Sequence, residues 1–196
     1  WIGNRDGKWE KLAYWQAASG LDSNSVSFEP LFQNESAGDF HLNSTAGRWS
    51  LAFNDWDYGD TTNSPLIDLG DPWIGTGDEP MYNGYRRNLG AYGGTEQASK
   101  SRTNFWLTAL TQNDGGVLKG TNVLLRWAAG NAAGKTVTLE YFDGVAWSTI
   151  VSGVSADAGI YVWNTLPFPD SFSGRWRVVG GEDTNVWDQT DNPFQL

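Results

Sequence analysis

From residue 121 to the C-terminus, apolar and polar residues alternate in short runs. The runs fall at 122–129 (NVLLRWAA), 135–142 (KTVTLEYF), 146–151 (AWSTIV), 160–165 (IYVWNT), 174–179 (GRWRVV) and 193–196 (PFQL). Alternation with a period of two sends successive side chains to opposite faces, so each run predicts a strand with one buried face. Turn residues separate them: Gly130-Asn131, Asp143-Gly144, residues 157–159 and residues 167–169. Short strands spaced by such turns predict a β-sandwich.

The first half is patterned differently. Residues 8–19 place Trp9, Leu12, Ala13, Gln16 and Ala17 on one face at helical spacing, and Gly20 is a suitable stop. Residues 25–32 and 39–44 predict strands in which Phe28, Leu31, Phe40 and Leu42 face inward and His41 faces solvent. Residues 47–60 predict an extended loop or small hairpin. Residues 64–70 (SPLIDLG) and 88–93 (NLGAYG) are short apolar strands flanking a loop rich in Gly, Asp, Pro and Asn. Each is too short to bury itself and needs a neighbour. Residues 94–116 are polar and break the pattern, apart from Phe105-Trp106-Leu107.

Composition agrees with an all-β chain. There are 24 Gly, 12 Trp and 14% aromatic residues in 196, which suits tight turns joining pleated surfaces. The net charge of −10 repels polyanions and argues against nucleic-acid binding. The absence of Cys removes disulfides and Cys-based zinc sites. No run is long and apolar enough to span a membrane as a helix.

The segments SPLIDLGDP and RRNLGAYGGTEQASKS, with residues 12–24, 29–32 and 38–44, resemble the last coils of secreted right-handed parallel β-helix proteins of the pectate-lyase type. Residues 117–196 resemble a small Ig-like or fibronectin-like module of bacterial surface proteins. The resemblance implies terminal β-helix rungs at 1–103, a junction at 104–116 and an Ig-like β-sandwich at 117–196. It also implies a secreted or cell-surface location and an N-terminal coil left open at Trp1. Further rungs before Trp1, or self-assembly through that coil, would cover it.

Candidate chemistry is sparse. His41 is the single histidine, and neither a Cys nor a G-x-S-x-G elbow accompanies it. Asp55, Asp57 and Asp60 in NDWDYGD are candidate calcium ligands, because calcium takes several hard oxygens. The loop departs from the EF-hand pattern. Trp49, Trp56 and Tyr58 are a candidate carbohydrate platform, since flat aromatic rings stack on sugar rings. No other cofactor is expected.

These residues predict a non-catalytic structural or adhesive part of an extracellular protein, a fibre or lattice subunit being its sharper form. The alternative is a carbohydrate-binding accessory region of a polysaccharide-degrading enzyme. In that case a lyase site would lie in rungs upstream of Trp1.

Overall fold

The computed structural model describes residues 2–5, 8–118 and 121–196. It is all-β, with one short helix and several small sheets. The chain divides into two compact units: Trp1–Phe28 with Trp106–Leu196, and Glu29–Phe105.

In the first unit two sheets face each other. One has the order β11 (Trp147–Ser155), β10 (Thr136–Phe142), β13 (Arg175–Gly180), β14 (Trp187–Gln189). The other has the order β12 (Ile160–Asn164), β9 (Asn122–Gly130), β7 (Trp106–Ala109). All of these neighbours pair antiparallel. A short parallel pair joins β8 (Gly116–Val117) to β15 (Phe194–Gln195). The predicted alternation is realised: Val137, Leu139 and Tyr141 of β10 are buried, as are Val123, Leu125 and Trp127 of β9. The Tyr141 ring meets Trp163 across the core, with centroids 5.0 Å apart. Two buried indoles satisfy their N–H groups, whereas Trp163 Nε1 is buried without a partner. Trp127 Nε1 donates to Ala156 O at 2.8 Å and Trp176 Nε1 to Thr111 O at 2.9 Å.

The helix α1 (Leu12–Ser19) starts later than the pattern predicts, because Lys8–Glu10 is strand β2, paired with β1 (Ile2–Arg5). Gly20 ends it in the left-handed conformation. Trp1 and the side chains of Trp9 and Ala17, two members of the predicted helix face, lie outside the described residues. Trp106 and Leu107 are buried on β7.

The second unit holds two antiparallel hairpins, β3 (Phe32–Asn34) with β4 (Asp39–Leu42) and β5 (Arg48–Ser50) with β6 (Asp55–Asp57). No stack of parallel coils appears among its described residues. The expected rung strands at 64–70 and 88–93 are turns. Leu89 N–H bonds Leu66 O at 3.0 Å and Gly70 N–H bonds Arg87 O at 2.7 Å, so the two segments do run side by side. Asp68 at φ 61° and Gly90 at φ 108° cannot continue a strand. The β4 alternation is also broken, with Leu42 placed as expected but Phe40 and His41 not. Phe40 is exposed against Phe32, whereas His41 and Leu42 are buried.

Candidate functional site

The candidate calcium ligands are spent on an arginine. Arg48, buried in β5, donates from Nη2 to Asp57 Oδ2 at 3.0 Å and from Nε to Asp60 Oδ2 at 3.0 Å. Asp60 Oδ2 also accepts the Ser44 N–H at 2.8 Å. Asp55 turns to the Trp56 N–H instead, at 2.8 Å. Among the described residues no three His, Asp or Glu side chains group as metal ligands would. A guanidinium in the middle of the carboxylates supplies the charge that a cation would bring.

The candidate carbohydrate platform is brought together, with an unforeseen member. Trp49 and Trp56 are cross-strand partners in β5–β6, edge to face at 5.6 Å. Lys100 Nζ lies 4.0 Å from the Trp56 ring centroid and donates to the Tyr58 hydroxyl at 3.0 Å. An ammonium over an indole is a favourable contact, and it occupies the face on which a sugar would stack. Of the three residues, Tyr58 alone is exposed.

His41 is not on the surface. At 1% exposure it stacks on Tyr92, with ring centroids 3.6 Å apart, and its Nδ1 lies 2.6 Å from Asp39 Oδ1. Its Nε2 faces Gln97 Oε1 at 3.4 Å. No hydroxyl nucleophile stands at that nitrogen, so the Asp–His pair reads as a packed structural element.

Residues 71–87 form the loop between the two turn segments, and it is tied down from several sides. Asp78 N–H bonds Gly94 O at 3.1 Å, and Ser101 N–H bonds Tyr82 O at 2.7 Å. Arg87 Nε donates to Gly75 O at 3.0 Å, and the Arg86 side chain donates to Gly70 O. Glu79 turns inward, where its Oε1 accepts the N–H groups of Asn88 and Gly94, both at 2.8 Å. The other Glu79 oxygen is buried without a partner. Beside it Asp68, also buried, accepts the Ser101 hydroxyl at 2.6 Å, and its N–H donates to Asn88 Oδ1 at 2.9 Å. Burial pushes the Asp68 carboxyl up to about 6, with the charge of Glu79 adding to the rise.

With its polar groups turned inward, the loop turns large apolar groups outward. Trp73 is 91% exposed and Tyr85 89%, and Ile74, Met81 and Tyr82 are exposed as well. The rings of Trp73, Tyr82 and Tyr85 enter no hydrogen bond or ring contact with other described residues. Patches of this kind on a soluble surface mark contact sites. The sequence places Trp73 in a loop, but no periodicity tells which way a loop side chain points.

A cleft of about 890 Å³ lies in the other unit, with Tyr14, Val26, Leu110, Val117 and Leu124 among its lining residues. Its charged groups are engaged internally, although Oε1 of the lining Gln112 is buried without a partner. Lys11 donates to Asp114 O, Asp114 Oδ2 accepts the Leu12 N–H at 2.8 Å, and Arg126 bonds Ser23 O and Asn24 Oδ1. No convergent polar set remains there to orient a ligand.

Comparison with protein-family models, with characterised proteins and with solved structures finds no match to this chain.

Proposed function

We propose that the chain is a non-catalytic, adhesive part of a secreted or cell-surface protein, and that it holds polysaccharide through loop 71–87. The observation carrying this reading is the set of exposed rings on a braced loop. Trp73, Tyr82 and Tyr85 are held out by a backbone whose hydrogen bonds are made elsewhere. Binding to such a loop loses little conformational freedom. Trp and Tyr also carry the most contact energy per side chain.

The charges favour a neutral glycan. Asp71 and Asp78 are acidic and exposed, and the loop's two cations, Arg86 and Arg87, bond the carbonyls of Gly70 and Gly75. An anionic partner meets repulsion there. The likeness of 64–101 to the closing coils of secreted β-helix proteins, and of 117–196 to Ig-like surface modules, supports the extracellular placement. In this reading the loop takes the role expected of Trp49, Trp56 and Tyr58, whose stacking face Lys100 covers.

Trp73→Ala and Tyr85→Ala are each expected to weaken retention on insoluble neutral polysaccharide about tenfold, or about 1.4 kcal/mol. Melting temperature should stay unchanged, since both side chains are exposed. Trp56→Ala should leave retention intact. A full chain that no polysaccharide retains would end this reading.

A further inference from the structure

The two main sheets have four edges, and three are guarded. At β11 the register against β10 shifts twice, and Gly153 at φ 72° twists the strand. The β14 edge is three residues long. At β7 the Ala109 N–H is taken by Asp188 Oδ2 at 2.8 Å. Bulges, shortness and side-chain covers are the usual protections of an open edge.

The fourth edge, β12, has none of them. Its five residues, IYVWN, contain no charge, Gly or Pro and pair with β9 in unbroken register from Ile160↔Arg126 to Asn164↔Asn122. An antiparallel strand directs half its N–H and C=O groups away from its neighbour. Among the described residues nothing bonds the β12 main chain on that side. The outer face beside it carries an apolar centre flanked by polar groups: Val162 is 58% exposed, Ile160 and Leu124 are exposed with it, and Arg126 and Asn122 stand opposite Ile160 and Asn164.

We infer that β12 is a strand-addition site and that its occupant is β12 of a second copy of this chain. A bare edge bonds water, and another extended backbone can replace that water along its whole length. An antiparallel two-fold pairing supplies one from identical residues. The strand is uncharged, so the two-fold brings no like charges together in a chain of net charge −10. The product is a closed six-stranded sheet, β7-β9-β12-β12-β9-β7, across which the Leu124, Val162 and Ile160 stripes of the two copies run on. β12 and loop 71–87 belong to different units and share no residues, so the inference does not depend on glycan binding.

The chain contains no Cys, which makes cysteine cross-linking clean. Val162→Cys, which the two-fold places opposite itself, is expected to give a disulfide-linked dimer when oxidised alone, and Ile160→Cys is expected to do so only when mixed with Asn164→Cys. Thr149→Cys on the β11 edge should give none. In sedimentation over a concentration series the unaltered chain is expected to dimerise. Val162→Lys, whose side chain points to solvent, should be folded by circular dichroism and monomeric throughout. A monomer at every concentration overturns the inference. So does a dimer that no β12 cysteine cross-links, since its contact would lie elsewhere.

Discussion

Arg48→Met is expected to destabilise the protein by about 3–5 kcal/mol, the cost of removing one partner from a buried ion pair. The guanidinium is buried and its donors are used: two nitrogens on Asp57 and Asp60, and Nη1 on Trp49 O at 3.2 Å. Methionine fills the space but leaves two carboxylates facing each other. Asp60 suffers most, because its side chain is the more buried of the two. The loss should be read from urea unfolding followed by Trp fluorescence, since Trp49 and Trp56 belong to this hairpin. A second change, Asp60→Asn added to Arg48→Met, should recover part of the loss, because the amide still accepts the Ser44 N–H without a charge. Millimolar calcium should leave the melting temperature of the unaltered chain where it was. A loss below about 1 kcal/mol would mean that the pair behaves as a surface salt bridge, and calcium stabilisation would reopen the metal reading of Asp55, Asp57 and Asp60.

The strands of 122–196 were legible because alternation is a local signal with turn residues at its ends. Each of the six predicted runs contains an observed strand. Strands β7, β8 and β14 were not legible. They are two to four residues long, too short for an alternating pattern to show, so tertiary pairing makes them. In 64–70 and 88–93 the apolar pattern pointed to strands, but burial there is achieved by turns. Ser64, Asp68 and Asn88 replace ladder bonds with side-chain bonds. His41 shows the same limit. Alternation places it opposite Phe40 but does not say which face is inside, and Tyr92, 51 positions away, decides it.

The candidate sites divide in the same way. The hairpin carrying Trp49 and Trp56 could be read from NDWDYGD and its flanks. Lys100, the residue that covers the Trp56 ring, is distant in sequence and gave no signal. Met81, Tyr82 and Tyr85 stand out only once the backbone bonds of 71–87 are known. Those bonds show which groups of the loop have no work inside the fold.

Asp68→Asn is expected to raise stability at pH 8 by up to about 3 kcal/mol. The Asp68 carboxyl titrates at about 6 in the folded chain, against 3.8 for an unperturbed one, and each unit corresponds to about 1.4 kcal/mol. Below about pH 4 the folded and unfolded chains both hold this proton, and Asp68 imposes no penalty. Between about 4 and 6 the unfolded chain gives it up while the folded chain keeps it. Above 6 the folded chain must ionise a carboxyl that is out of water and near Glu79, so the stability present at low pH is lost as pH rises through about 6. Asparagine has no proton to lose. It can accept the Ser101 hydroxyl, and it tolerates the left-handed backbone held at φ 61°. It also adds little bulk beside Gly84, where a Cβ would lie 2.4 Å from the Asp68 carboxyl. Urea midpoints from pH 4 to pH 8 should therefore fall less steeply for Asp68→Asn than for the unaltered chain, with the gap opening between about pH 4 and pH 6 and staying level above it. If Asp68→Asn is instead less stable at pH 8 and the gap closes toward pH 4, Asp68 works as a paired carboxylate in the folded chain. The attraction of Arg86 and Arg102 would then outweigh burial, and the bracing of loop 71–87 would depend on charge rather than on a neutral Asp68.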